Sequence, residues 1–246
     1  MSFSIQLYTV RKALDADLPG TIKRLADIGF TKVEPYNFVA TADELGEALR
    51  DNGLTAPSGH APLLRADQDE IFTAANKLGI VTVIDPHVPI ERWTTVEDIQ
   101  ATAEQLNAAA KNGAEYGITV GYHNHWWEAE TQADGRTGIE VLAEHLDPEV
   151  VLELDTYWAA VGGQDPVALL ERLGDRVRFI HIKDGPVNSD PSAQLAVGDG
   201  TMPIWDVIEA AEFLEVGVIE LDDFDGEMFD AVTDSYTYLA AGKSAA

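Results

Sequence analysis

Four stretches of this chain share one form: Tyr122-His123-Asn124-His125-Trp126-Trp127-Glu128, Leu152-Glu153-Leu154-Asp155-Thr156-Tyr157-Trp158, Phe179-Ile180-His181-Ile182-Lys183-Asp184 and Val218-Ile219-Glu220-Leu221-Asp222-Asp223-Phe224. Each starts as a short apolar, β-branched run and ends in acids or histidines. Short apolar runs of this kind read as buried parallel strands. Charged and imidazole groups at the ends of successive strands point to one site where those strands converge.

Outward from these stretches, the same rhythm covers the chain. Strand-like runs stand at Phe3–Tyr8, Lys32–Glu34, Thr55–Ser58, Val81–Asp85, Thr119–Tyr122, Val151–Leu154, Arg178–His181 and Val218–Leu221. Helical patterns lie between them. One covers Thr21–Ile28 and stops at Gly29, a C-terminal cap signal. Thr41-Ala42-Asp43-Glu44 opens like a capping box and runs to Gly53. Thr95–Tyr116 is Ala-rich and closes at Gly117, and Asp165-Pro166 starts a helix that ends at Gly174. Pro203–Phe213 and Glu227–Ala240 follow, and Gly242–Ala246 reads as a frayed tail. Eight strands alternating with about eight helices imply parallel strands joined by right-handed crossovers. The expected fold is α/β, a (β/α)₈ TIM barrel forming a single domain over residues 1–246. A doubly wound sheet would carry a Gly-rich turn after its first strand, where this chain has Tyr8-Thr9-Val10-Arg11.

Composition narrows the chemistry. The chain has 246 residues, enough for a substantial core, and no cysteine, which excludes disulfides, thiolate metal sites and cysteine nucleophiles. Sixteen basic against 43 acidic residues give a net charge of −27, a field that repels nucleic acid and anionic lipid. It also disfavours phosphorylated substrates unless a local basic pocket exists. Met1–Val10 lacks the basic and long apolar regions of a signal peptide, and no segment has the length of a membrane helix, so the expectation is a cytoplasmic protein.

In a barrel, function sits at the C-terminal ends of the strands. Those ends supply Glu34, His60, Asp85, His87, His123, Asn124, His125, Glu128, Asp155, His181, Lys183, Asp184, Glu220 and Asp222. Glu128, Asp155, His181 and Glu220 come from four consecutive strands. Three carboxylates grouped without a cation would repel one another, so a bound divalent metal is the simplest account. The oxygen-rich set suits Mn²⁺ first, with Mg²⁺ or Co²⁺, and Zn²⁺ remains open. Each acid alone would read as a helix N-cap. His123 and His125 lie two apart on one strand face, so one can be a ligand and the other a general base, or either can be a buried, hydrogen-bonded histidine. Lys183 shares a face with His181 and can support an oxyanion, or pair with Asp184 or Asp155. Glu34, His60 and the face of Trp158 are candidates for holding substrate. No GxSxG elbow, Walker loop or GxGxxG turn is present.

At these motifs the chain resembles the sugar phosphate isomerase/epimerase family, the xylose-isomerase-like TIM barrels. The resemblance runs end to end. It is carried by Leu7–Arg11, Gly29–Glu34, Gly121–His125, Leu154–Trp158, Gly163–Pro166, His181–Asp184 and Val197–Gly200. It implies a metal at the barrel mouth held by Glu, Asp, His and Glu, which map to Glu128, Asp155, His181 and Glu220. Two departures stand out. Relatives such as ketose 3-epimerases carry a Glu on strand five itself, where this chain has His123. Many branch members read Glu-Gln-Asp where this chain has Glu220-Leu221-Asp222. The activity implied is metal-assisted enolisation of an unphosphorylated keto sugar or keto-cyclitol, giving isomerisation or epimerisation. The same enolate can instead expel a β-substituent, as in inosose dehydration or 3-keto-glycoside cleavage. A non-catalytic sugar-binding subunit is the second class, motivated by the strand-five change. An abasic-site nuclease shares the barrel but is opposed by the charge. The expected partner is a small sugar, with neither nucleic acid nor membrane, and a homo-oligomer by family analogy.

Overall fold

A computed structural model describes residues 3–130 and 135–243; the tail expected to fray lies outside them from residue 244. Eight strands form one all-parallel sheet: β1 (Phe3–Gln6), β2 (Lys32–Glu34), β3 (Ser58–His60), β4 (Thr82–Asp85), β5 (Thr119–His123), β6 (Val151–Asp155), β7 (Val177–Ile182) and β8 (Val216–Ile219). Their order is β2-β1-β8-β7-β6-β5-β4-β3. The ring closes between β2 and β3 through single bridges, Lys32 to Thr55 and Tyr36 to His60, rather than a full ladder. His60 N–H donates to the Pro35 carbonyl at 2.7 Å and Asn37 N–H to that of His60 at 2.9 Å.

Among the described residues eleven helices surround the ring: α1 (Arg11–Ala16), α2 (Leu18–Ile28), α3 (Ala42–Asp51), α4 (Gln68–Leu78), α5 (Val96–Glu115), α6 (Trp126–Ala129), α7 (Gly138–His145), α8 (Thr156–Val161), α9 (Pro166–Leu173), α10 (Ile204–Ala210) and α11 (Met228–Ala241). The excess over eight comes from short helices in the loops that follow strands, α1, α6 and α8. Side-chain caps set several starts: Asp67 on α4, Thr95 on α5, Thr137 with Glu140 on α7, and Asp165 on α9. None of the described helices is long and apolar enough to cross a membrane.

Three expected strand boundaries and one helix cap are corrected. The first strand stops at Gln6, because the Gln6 side chain accepts the Tyr8 N–H at 3.1 Å and winds Leu7–Val10 into a 3₁₀ turn. The third begins at Ser58, not Thr55, because Pro57 has no N–H to give the ladder. The eighth begins at Val216, across Gly217. It leaves the ladder near Glu220, and the Leu221 N–H turns to the Thr9 hydroxyl at 3.1 Å. The capping box at Thr41 does not form, since its hydroxyl donates back to the carbonyl of Phe38, the first residue of the 3₁₀ turn Phe38–Thr41.

Alternation along the strands separates two environments. Ile5, Val33, Val83, Val120, Leu152, Leu154, Ile180 and Ile219 belong to the large apolar shell between strands and helices. A separate, smaller apolar cluster of Ile84, Phe179, Val216 and Val218 plugs the barrel interior. Gln6, Glu34, Ser58, His60, His123, Glu153, Asp155 and His181 are buried polar residues on the interior face, and they form the layer above that plug.

Two of the loop helices that carry site residues pack very closely. Gly162, at the end of α8, sits so near α6 that a Cβ would lie 2.4 Å from the Trp126 carbonyl oxygen and 2.8 Å from Ala129 Cβ. Its φ of −71° suits any residue, so space alone requires glycine. Gly162→Ala is expected to lower unfolding free energy by about 1–3 kcal/mol in urea denaturation. An unchanged midpoint would mean that α6 and α8 separate at no cost.

Candidate active site

The polar layer is built from strand ends, so most of its side chains are held by the barrel rather than by loops. Two groups of donors converge. His123, Asp155, His181 and Glu220 each offer an atom within 4.8 Å of the others. His60, His123, Glu153 and His181 do the same one layer deeper. All six residues in the two groups are buried.

Hydrogen bonds tie the layers together. His181 Nδ1 lies 2.6 Å from Glu220 Oε2, and its Nε2 lies 2.8 Å from Glu34 Oε1 and 3.1 Å from Glu153 Oε2. His123 Nδ1 is 3.1 Å from Glu153 Oε2 and His60 Nε2 is 2.6 Å from that same oxygen. Glu34 also accepts from Gln6 Nε2 at 2.9 Å and from the Ser58 hydroxyl. Lys183, just beyond β7, meets Asp222 at 2.6 Å, Glu220 at 2.8 Å and Asp155 at 2.9 Å. Asp222 is itself held by Gln194 Nε2 at 2.8 Å and the Trp158 indole N–H at 3.2 Å.

The charges compensate one another. Burial works against a charged Lys183, but Asp155, Asp222 and Glu220 outweigh it and hold its ammonium well above the usual lysine range. Burial likewise opposes a charged His181, and the carboxylates of Glu153 and Glu220 carry it well above the histidine range. Burial would raise Glu220, but Lys183 and His181 hold it well below the carboxylate range. Burial raises Asp155, with Lys183 opposing. Burial and the charge of His181 push His123 well below the histidine range.

The outer group suits a divalent cation. Two imidazoles and two carboxylates form a mixed nitrogen and oxygen set of the kind that borderline divalent ions accept. Asp155 Oδ1 caps α8 through the Trp158 N–H at 2.8 Å. Its Oδ2 is buried, pairs with the Lys183 ammonium at 2.9 Å and stands 3.9 Å from His123 Nε2. His123 is neutral, the form in which imidazole binds metal.

The structure distributes the sequence-selected residues unequally. Asp155, His181 and Glu220 come together, and His123 joins them from the end of β5. Glu128 stands outside both groups. Its Oε1 accepts the Tyr122 hydroxyl at 2.6 Å and its Oε2 the His125 N–H at 2.9 Å, because Glu128 and His125 form the capping box of α6. His125 is therefore a helix cap beyond the strand rather than a strand neighbour of His123, although both face the same cavity. Its ring stacks on Trp127 at 4.4 Å with planes 4° apart, and its Nδ1 has no hydrogen-bond partner. That cavity, about 240 Å³, is lined by Tyr8, Tyr36, His60, His87, His125 and Asp222 among others. Glu34 lies beneath it, fully buried. Trp158 is buried behind Lys183, whose ammonium is 5.5 Å from its ring centre. Glu153 was not selected from the sequence. The alternation Leu152-Glu153-Leu154-Asp155 carries its signal, since an acid two residues before Asp155 must share its face.

Comparison with known proteins agrees with this architecture. A curated inosose dehydratase of Geobacillus kaustophilus is 38% identical over 96 residues, 39% of this chain and 30% of that protein. The matched segment thus spans about a third of the length of this relative. The crystal structure of a sugar phosphate isomerase/epimerase from Parabacteroides distasonis superposes with a TM-score of 0.86 at 26% identity, covering 98% of this chain and 94% of that one. The IOLI protein, solved with a zinc atom, has a TM-score of 0.76 at 14% identity over 98% and 97% of the two chains, a likeness of fold alone. A family model described as xylose isomerase-like TIM barrel matches residues 22–234. With its eight parallel strands closed into one ring and that match covering most of its length, the chain belongs to the xylose isomerase-like TIM-barrel family.

Proposed function

We propose that this chain is a divalent-cation-dependent enzyme that enolises a neutral keto-cyclitol or keto sugar and then expels a β-hydroxyl group, a dehydration. The observation that carries the reading is the convergence of His123, Asp155, His181 and Glu220 within 4.8 Å, with Lys183 in contact with two of them. Those four residues would hold the cation. Bound there, it would polarise the substrate carbonyl and stabilise the enolate.

The chain's own groups supply the rest. His125 is placed to take the proton from the carbon next to the carbonyl. Its ring borders the cavity and is fixed by its stack on Trp127. The electron pair of that C–H bond moves into the enolate; Lys183 stands behind the lining and acts by holding Asp155, Glu220 and Asp222 in place. Collapse of the enolate breaks the neighbouring C–O bond. The departing hydroxyl takes the proton that His125 holds and leaves as water. Asp222, locked by Gln194, Trp158 and Lys183, borders the cavity itself. A neutral substrate fits the cavity lining, which contains neither arginine nor lysine.

The relative named inosose dehydratase supports elimination as the outcome. Return of the proton to the neighbouring carbon would instead give isomerisation. The likeness to a sugar phosphate isomerase/epimerase over nearly the whole chain favours that as the second reading.

Proton NMR of the Mn²⁺-loaded protein with an inosose and with 3-keto-glucose in D₂O tests the proposal. Loss of water from one of them, abolished by chelator and restored by metal, is the expected result. Deuterium incorporation with the carbon–oxygen skeleton intact would select isomerisation, and no change in either compound would overturn the enolisation reading. His125→Gln is expected to lower kcat by about 10²- to 10⁴-fold while the bound metal content stays that of the wild type. Loss of the metal as well would place His125 among the ligands and remove it as the base.

A further inference from the structure

We infer that Glu153 is the positioning residue of this centre: one carboxylate oxygen inside the barrel receives both ligand imidazoles and fixes them in opposite tautomers. The inference rests on the cation-binding reading of the outer group. Glu153 is fully buried on β6, two residues before Asp155, so the strand that supplies a ligand also supplies this anchor. Its Oε2 lies 3.1 Å from His123 Nδ1, 3.1 Å from His181 Nε2 and 2.6 Å from His60 Nε2.

A carboxylate only accepts, so each nitrogen turned toward it carries the hydrogen. His123 is thereby the Nδ1–H tautomer and presents Nε2 toward Asp155 Oδ2, 3.9 Å away. His181 faces carboxylates with both nitrogens, Glu220 at Nδ1 and Glu34 with Glu153 at Nε2; holding a cation beside Glu220 would displace the Nδ1 hydrogen and leave the Nε2–H tautomer. In the cation-loaded form the two lone pairs would therefore face the outer group from rings that are read at opposite nitrogens. Glu34 reinforces the second ring by sharing the same Nε2 hydrogen, and His60 lies parallel to it at 5.3 Å with planes 8° apart. Carboxylates behind ligating histidines fix tautomer and ring orientation in this way.

This assignment also chooses between the two donor groups. The deeper group, His60, His123, Glu153 and His181, has its imidazole nitrogens engaged as donors to Glu153, so it is an orienting layer and not a second cation site. Glu153 Oε1, buried without a partner, is the one feature that favours an inner cation, so the number of bound ions is part of the test.

The test uses the whole chain loaded with Zn²⁺. With only six histidines, long-range ¹H–¹⁵N correlation resolves their tautomers. The expected result is His123 protonated at Nδ1, His181 protonated at Nε2, and one zinc per chain. Metal-competition titration of Glu153→Gln is expected to show an affinity lower by about 10- to 100-fold at unchanged stoichiometry. Ser58→Ala alters the same buried layer without touching a ligand histidine, and should show no comparable loss. Identical tautomers for the two histidines, two bound ions, or a Glu153→Gln protein that is less stable but binds zinc like the wild type would each overturn the inference. In those cases the outer cation site would stand. A wild-type chain that binds no zinc would remove the centre itself and this role with it.

Discussion

Four carboxylates, those of Glu34, Glu153, Asp155 and Glu220, are buried together inside the mouth of one barrel. Moving such groups out of water is costly unless each finds compensation, and the rest of the site is arranged around that constraint. Lys183 answers three acids at once, His181 joins the layers by bonding Glu220 with one nitrogen and Glu34 with the other, and Gln6 and Ser58 complete the shell of Glu34. At Asp155 Oδ2 the Lys183 ammonium is the positive partner, and His123 stands 3.9 Å away, held well below the histidine range by burial. A divalent cation would add charge compensation there, so under the proposed function the demand for charge balance and the demand for a catalyst would fall on the same atoms.

The site divides by the rigidity of what carries it. Groups that would hold the cation stand on strand ends, where the ladder fixes the backbone and the apolar plug of Ile84, Phe179, Val216 and Val218 supports them from below. Groups that would meet the substrate stand on loops. Tyr8 lies in the 3₁₀ turn after β1, His87 in the loop after β4, and His125 at the cap of α6. Asp85 ties two of these loops, accepting the His87 N–H at 3.0 Å and the Leu64 N–H at 2.9 Å. Chemistry common to a fold can then remain while the wall that recognises a substrate varies.

Much of this was legible in the residues. Eight apolar runs ending in polar groups determined the barrel, because parallel strands buried on both faces need β-branched runs and a barrel gathers their ends. Asp155, His181 and Glu220 could be named because each directly follows such a run. Glu128 lies outside the two donor groups for a physical reason. An acid three residues into a short helix looks the same in sequence whether it reaches the mouth or returns to its own N-cap, and the Tyr122 hydroxyl, projecting from the outer face of β5, decides for the cap. Glu153 was passed over because it sits between two leucines inside a strand, where an acid is rare. Its partners His60, His123 and His181 come from three other strands, and only the closed barrel brings them to one oxygen. The shifts of β3 and β8 came from Pro57 and Gly217, residues whose effect on a ladder depends on what pairs beside them.

Anomalous diffraction from crystals of this protein soaked in Mn²⁺ would test the central claim most directly. The account predicts a single manganese peak bounded by His123, Asp155, His181 and Glu220, with Glu128 still bonded to Tyr122. A peak among His60, Glu153 and their neighbours, a manganese ion bound by Glu128, or no peak inside the barrel mouth would contradict it.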